Sequence, residues 1–139
     1  MLLHIVARGK IGRSPEAELV DRYLKRIAWP VRVTELSERG EVPPAAAGSV
    51  TVLLDERGEA LSSIDLARRL EGWRDSGRRE ARFLIGAADG HSAKARDEAD
   101  LLLSFGPATW PHLLARAMVA EQLFRATSIL AGHPYHRQG

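Results

Sequence analysis

The chain of 139 residues contains no cysteine, which excludes disulfide bridges, thiolate metal ligands and cysteine nucleophiles. A metal site would need histidine and carboxylate ligands alone, and we expect no metal. No apolar run approaches the roughly 20 residues that cross a bilayer. The segment Met1-Leu2-Leu3-His4 also lacks the charged start and the apolar core of a signal peptide. We therefore expect a soluble, cytoplasmic protein without a membrane partner.

Aromatic residues make up only 6% of the chain, and the net charge is only +2. The apolar fraction of 45% and the charged fraction of 27% are ordinary for globular proteins and exclude a disordered chain. The length is the commonest for one domain, so residues 1–139 are expected to form a single domain. Basic residues prevail toward both ends of the chain, around an acidic middle. This pattern permits a polyanionic partner such as RNA, or an ordinary solvated surface.

Apolar runs with strand character alternate with helical patterns along the whole chain. The predicted strands are residues 2–7, 31–36, 50–54, 81–85 and 101–105. The predicted helices begin after Ser14, Ser62, Ser92 and Trp110, and the residues from Glu56 to Glu59 are expected to be a loop. This alternation predicts an α/β domain with a mostly parallel sheet and helices on both faces.

Ligands of parallel sheets collect at the carboxyl ends of the strands. Three such ends are Leu54-Asp55, Ile85-Gly86 and Phe105-Gly106, and we expect them to converge on one pocket. The turn from Gly86 to Gly90 follows a buried strand and precedes a helix, where a backbone can approach a ligand closely. It has neither the dinucleotide-binding nor the phosphate-loop glycine spacing, so a plain tight turn is the alternative.

The last predicted helix, residues 111–130, is apolar on more than one face. One face can fill the core of this domain, and the surplus predicts a second apolar partner, most simply a second copy of the chain. Glu121 and Arg125 are four residues apart on this helix. They predict either an ordinary surface ion pair or a pair that faces a substrate.

The tail from His133 to Arg137 concentrates groups that can transfer protons and bind phosphate. Two histidines without a nearby acidic residue do not complete a metal site. The alternative to a functional tail is a solvated chain end.

In order along the chain, these segments resemble the RlmH family of bacterial ribosomal RNA large subunit pseudouridine N3-methyltransferases, in the SPOUT class. The segments that carry the resemblance are Leu84-Ile85-Gly86 with Asp89-Gly90, Trp110-Pro111-His112, Val119 to Ala126, and His133 to Arg137. The resemblance implies a trefoil-knotted α/β fold, S-adenosylmethionine as methyl donor and a homodimer. It also implies a pseudouridine of 23S rRNA on the assembled ribosome as substrate, and no DNA partner.

The resemblance further assigns roles to particular residues. The cofactor is expected to lie against Leu54, Gly86, Phe105, Gly106, Pro107, Ala108, Thr109 and Trp110. His136 is expected to assist removal of the N3 proton, and Arg137 to stabilise the developing negative charge or a phosphate. Tyr135 and Arg125 are expected to orient the base.

Two other interpretations compete with an RNA methyltransferase. Ala87-Ala88 stands where family members carry a second glycine followed by proline or serine, which would suit a non-catalytic ribosome- or RNA-binding module of the same fold. Topology rules alone favour a flavodoxin-like strand order, because knotted chains are rare.

Overall fold

The computed structural model describes residues 1–86 and 90–137 of the chain. The elements in these ranges are β1 (Leu2–Arg8), α1 (Pro15–Leu24), β2 (Val31–Leu36), β3 (Ser49–Glu59), α2 (Ser63–Asp75), β4 (Glu80–Ile85), α3 (Ala93–Glu98), β5 (Leu101–Leu103) and α4 (His112–Leu130). The predicted alternation of strands and helices is confirmed. Across the described residues, no helix combines the length and the apolarity that crossing a membrane requires.

The five strands form one sheet in the order β2-β1-β4-β3-β5, and every neighbouring pair is parallel. A flavodoxin-like sheet would place β3 next to β1, whereas here β4 lies between them. The carboxyl ends of β4, β3 and β5 are therefore neighbours at one edge of the sheet. This order brings together the three strand ends that the sequence suggested for a pocket.

The two faces of the sheet are covered unequally. The main core lies on one face, where Phe83 of β4 packs with Leu70 of α2 and Leu123 of α4. The opposite face has a small cluster around Leu53, covered by residues of α3 and of the segment that follows β2. The buried Arg82 donates a hydrogen bond of 2.6 Å to a carbonyl of that segment. The prediction of helices on both faces is confirmed.

Three helices begin with a serine that caps them. The side chains of Ser14, Ser62 and Ser92 each accept a hydrogen bond from the backbone N–H three residues later. Each serine thus satisfies a backbone donor that the first turn leaves free, which contributes about 1 kcal/mol to the helix. The predicted helix starts are confirmed at all three positions.

The end of β3 differs from the prediction. The segment from Glu56 to Glu59 continues the strand through a bulge and pairs Glu59 with Leu103, so its assignment as a loop was wrong. Gly58 makes this possible, because a Cβ added to it would lie 2.5 Å from the carbonyl oxygen of Leu102. β5 is also shorter than predicted, since the hydroxyl of Ser104 bonds to the bulge and to its own turn.

We expect Gly58→Ala to lower the free energy of unfolding by about 1–3 kcal/mol, because the new methyl group collides with backbone that cannot move independently. Gly72→Ala in α2 is the matched control. Its added Cβ meets nothing within 4 Å, so it should stabilise the protein by about 0.5–1 kcal/mol. Urea unfolding of both variants measures the difference, and equal midpoints would contradict the assigned close approach.

Candidate active site

A cavity of about 440 Å³ opens at the carboxyl edge of the sheet, between the ends of β3, β4 and β5 and the first turn of α4. Its lining residues are Leu54, Asp55, Glu56, Ile85, Gly86, Gly90, His91, Leu103, Phe105, Gly106, Ala108, Thr109, Trp110, Pro111, His112 and Ala115. Its size is that of a pocket for a small organic ligand. The expected convergence of three strand ends on one pocket is confirmed.

Most of the residues expected to hold a cofactor line this cavity. They are Leu54, Gly86, Phe105, Gly106, Ala108, Thr109 and Trp110. Pro107 is exposed in the same loop and is not among the lining residues. The question raised by Ala87-Ala88 concerns residues 87–89, which lie outside the described residues.

At Gly86 two segments of the cavity wall lie close together. A Cβ added to this glycine would lie 3.2 Å from Cε1 of His91 and 3.3 Å from the backbone of Gly90. Any side chain at this position would therefore push the strand end and the returning chain apart by a few tenths of an ångström. Glycine allows the two segments to pack closely at the cavity wall.

The loop from Phe105 to Trp110 forms the opposite wall of the cavity. A hydrogen bond joins this loop to the extension of β3. The hydroxyl of Thr109 donates to the Glu56 carboxylate over 3.0 Å. Within the loop, Nε1 of Trp110 donates to the carbonyl of Phe105 over 3.4 Å. The indole of Trp110 is still 43% exposed, which places an aromatic surface at the cavity mouth.

Sequence reasoning missed His91 as part of the site. Its Nε2 donates to the carbonyl of Leu54 over 3.1 Å, so the ring links the ends of β3 and β4. Burial lowers the pKa of His91, although the hydrogen bond to Leu54 and the charge of Asp55 oppose the shift. The ring is therefore neutral at neutral pH. Its only sequence signal is its place directly after the glycine turn.

Two carboxylates stand at the cavity. Asp55 forms an ion pair of 3.0 Å with Arg96 of α3 and accepts a hydrogen bond from the backbone of Arg57. Glu56 is the acceptor for Thr109 described above. The lining thus combines apolar walls with acidic groups, a set suited to a ligand that has both an apolar ring and a positive charge. Across residues 1–86 and 90–137, the cavity included, no three histidine or acidic side chains come together as a metal site would require.

The structure brings the predicted tail residues together, but away from the cavity. Arg125 forms an ion pair of 2.6 Å with Glu121, contacts Nδ1 of His136 at 3.0 Å and stacks 4.8 Å from the ring centre of Tyr135. The hydroxyl of Tyr135 donates to Glu121 over 3.2 Å. We call Glu121, Arg125, Tyr135 and His136 the tail cluster. Arg137 is exposed beside it.

Protonation states in the tail cluster follow from its contacts. Burial, and then the negative charge of Glu121, raise the pKa of Tyr135 to about 12, so its hydroxyl remains a donor. A guanidinium can only donate, so Nδ1 of His136 accepts from Arg125. A neutral His136 ring then has its proton on Nε2. This nitrogen is a hydrogen-bond donor while the Arg125 contact lasts.

The tail cluster and the cavity occupy different parts of α4. The cavity reaches Ala115, whereas the tail cluster is centred on Arg125. Ten residues of α-helix separate these positions by about 15 Å. Within one chain, the predicted catalytic residues do not line the cavity that holds the predicted cofactor residues.

A buried arginine lies next to the cavity wall, and sequence reasoning missed it as well. Arg116 is 1% exposed, forms an ion pair with Glu35 and donates to the carbonyl of Gly9 over 3.1 Å. Glu35 also accepts a hydrogen bond of 2.8 Å from the backbone of Ile11. The pair therefore connects the start of α4 with β2 and with the loop after β1. Its sequence signal was one cation on a helix face otherwise made of apolar residues.

The hydrogen bond from Arg116 is the main cause that holds the pKa of Glu35 below its ordinary value. A carboxyl with a lowered folded-state pKa stabilises the fold above its ordinary pKa, and this contribution is lost as pH falls through the folded-state pKa.

We therefore expect Glu35→Gln to cost about 1–3 kcal/mol of stability at pH 7, because it leaves the Arg116 charge buried without its partner. The variant should also lose less stability than the parent between about pH 5 and pH 3. Urea titrations at several pH values give both quantities. Glu71→Gln, an exposed position of α2, is the control. Parallel pH profiles for the parent and Glu35→Gln would refute the assignment.

A family model and two relatives that match the whole chain are all described as methyltransferases. The family model described as "Predicted SPOUT methyltransferase" matches residues 1–136. A protein from Rhizorhabdus wittichii named "Ribosomal RNA large subunit methyltransferase H" is 69% identical, and the match covers 100% of both chains. A protein of the same name from Zymomonas mobilis is 57% identical, again over 100% of both chains.

A solved structure shares the fold at much lower similarity. A probable methylase family protein from Haemophilus influenzae superposes with a TM-score of 0.57 at 11% identity. The match covers 94% of the present chain and 66% of that chain. At this identity the likeness concerns the fold alone.

Proposed function

This chain belongs to the SPOUT methyltransferase family, among the ribosomal RNA large subunit methyltransferases H, and on that basis we propose that it methylates N3 of a pseudouridine in 23S rRNA with S-adenosylmethionine as donor. The observation that carries the proposal is the cavity at the ends of β3, β4 and β5, where seven of the expected cofactor residues meet. The substrate is the assembled ribosome in the cytoplasm. Neither DNA nor a membrane is a partner.

The cavity suits S-adenosylmethionine in size and charge. Gly86 adds no side chain to the wall, and the loop from Phe105 to Trp110 offers backbone groups for an adenine edge. Because Asp55 is paired with Arg96, Glu56 is the acidic group that favours a cationic ligand. When bound, this cofactor supplies an electrophilic methyl group. The protein has to hold the acceptor nitrogen about 3–3.5 Å from it and to manage one proton.

Family membership favours this enzyme over a non-catalytic RNA-binding module. The module was suggested only by Ala87-Ala88. Its test is cofactor binding, which a module with a damaged loop would lack.

We further propose that the chain acts as a homodimer in which the tail of one subunit completes the cavity of the other. The separation of about 15 Å along α4 keeps the tail cluster from its own cavity. Half-exposed apolar side chains of α4 beside the cavity, such as Leu113, Leu114 and Met118, offer the second apolar surface that a partner would cover.

In this arrangement His136 assists removal of the N3 proton. Its Nδ1 is engaged by Arg125 in the isolated chain, so the ring becomes a proton acceptor only when that contact is exchanged. Tyr135 and Arg125 orient the base, and Arg137 offers a fixed positive charge to the developing anion or to a phosphate.

Isothermal titration calorimetry should detect S-adenosylmethionine binding to the parent and none to Gly86→Val, because the branched side chain crowds a wall that is already closely packed. Gly72→Ala, whose Cβ meets nothing, should bind like the parent. Thermal unfolding verifies that both variants are folded. Unchanged affinity in a folded Gly86→Val protein would show that the cofactor does not bind in this cavity.

For the tail, His136→Ala should keep cofactor affinity while methyl incorporation into ribosomes falls roughly 10²- to 10⁴-fold. The substrate is ribosomes from a strain that lacks this enzyme, and naked rRNA should be a poor substrate. His136→Gln keeps a side-chain donor, so it should stay as inactive as His136→Ala if the ring accepts a proton. A fully active His136→Ala enzyme would show that His136 does not assist removal of the N3 proton.

Mixing two inactive variants tests the shared site. Gly86→Val retains its tail and His136→Ala retains its cavity, so mixed dimers contain one complete site if the tail acts on the partner. Random exchange of subunits should then restore roughly a quarter of the parent activity. No recovery, although light scattering shows dimers that exchange, would assign the tail to its own cavity.

A further inference from the structure

The loop from Gly9 to Ser14 combines positive charge with a closely specified backbone. Lys10 and Arg13 are exposed, and within the described part of the chain neither takes part in an ion pair. Gly9 and Gly12 have φ angles of 82° and 58°, a conformation that side chains disfavour. Two exposed cations thus lie on a short loop whose backbone conformation depends on two glycines, and the charge of Lys10 also contributes to lowering the pKa of Glu35.

The loop is held from inside by the ion pair of Arg116 and Glu35. Arg116 donates a hydrogen bond to the carbonyl of Gly9, and Glu35 accepts one from the N–H of Ile11. Each partner of the ion pair therefore also binds the loop backbone. Nε of the buried Arg116 has no hydrogen-bond partner among the described residues. A fully buried charge is costly, and an apolar side chain of similar size would pack there without that cost. In return for this cost, the buried Arg116 and its partner Glu35 fix the conformation of the loop.

The loop lies beside the cavity at the same edge of the sheet. Arg116 follows Ala115, which lines the cavity. A second observation agrees: the positive charge of Arg8, just before the loop, adds to burial in lowering the pKa of His91 in the cavity wall. A large substrate bound over the cavity can therefore extend to Lys10 and Arg13 along this edge of the sheet.

We propose that the loop from Gly9 to Ser14 binds the phosphate backbone of the RNA substrate, with Lys10 and Arg13 as the contacting cations and the Arg116–Glu35 pair as their internal support. This inference rests on the proposed function, because it takes RNA to be the substrate. Exposed cations on a fixed loop contribute affinity and orientation without reading sequence. Arg116 is a positioning residue that acts through the loop.

The test compares Lys10→Ala, Arg13→Ala and the double variant with the parent. The probe is purified ribosomes from a strain that lacks this enzyme, and binding is measured at KCl concentrations from about 50 to 200 mM with constant Mg²⁺. Each substitution should weaken binding about tenfold and reduce the slope of log affinity against log salt by about one. S-adenosylmethionine affinity should stay unchanged, since neither side chain lines the cavity.

Arg79→Ala is the matched control. Arg79 is an exposed cation just before β4, at the opposite edge of the sheet. Arg79 carries the same charge as Arg13. Its replacement by alanine should leave the ribosome affinity and the salt slope unchanged from the parent. An equal loss for Arg79→Ala and the loop variants would show that only net charge matters and would overturn the proposal.

The internal support is tested separately with Arg116→Met, or with Glu35→Gln if that variant does not fold. Ribosome affinity should fall toward that of the double loop variant while S-adenosylmethionine still binds. A parent-like salt slope in the folded variant would refute the positioning role.

The outcomes separate this inference from the function on which it rests. If the parent neither binds ribosomes nor methylates them, the proposed function fails. If the parent does both, and the double loop variant has the same affinity and salt slope, the loop proposal alone is wrong.

Discussion

The burial of α4 is the constraint on which the rest of this structure depends. Its residues Val119 and Leu123 belong to the main core on the sheet, and Ala117 and Ala120 pack against Val20 of α1. A helix of 19 residues held on several sides is a rigid rod of about 28 Å. It holds the cavity at its start and the tail cluster near its end at a fixed separation. Under the proposed function, α4 keeps the two parts of a methyl-transfer site apart within one chain, which is why we propose that a second subunit completes the site.

Glycines and polar contacts shape the site more than apolar packing does. The core supplies a stable sheet edge, but the cavity walls are set by the close approaches at Gly58 and Gly86 and by the hydrogen bonds of His91 and Thr109. Such contacts are directional, so they specify a loop path more narrowly than hydrophobic burial can. They also explain why short loops can form a cavity wall without a covering domain.

The sequence predicts the elements well because their signals are local. The serine caps, the alternation of strands and helices, and the glycines after strands all act within a few residues, and they predict that three strand ends meet at one cavity. The individual cofactor residues came from the family resemblance, and seven of those eight line this cavity. Long-range features escape this reasoning. The insertion of β4 between β1 and β3, the contact of Gly58 with Leu102 and the pairing of Arg116 with Glu35 each join segments far apart in the chain. Contacts between segments that are far apart in the sequence cannot be predicted from local conformational preferences.

The distribution of charged residues is consistent with the two ligands of opposite charge that we propose for this nearly neutral protein. The net charge of +2 averages a cavity that contains Asp55 and Glu56 with a neighbouring loop that carries Lys10 and Arg13. At physiological salt, exposed charges more than about 8 Å apart are largely screened from each other. In the proposed function, each surface acts through its own local field, the acidic one on a cationic methyl donor and the basic one on phosphates. Because the ion pair of the buried Arg116 with the exposed Glu35 joins the loop to the helix beside the cavity, the two charged surfaces keep a fixed relative position.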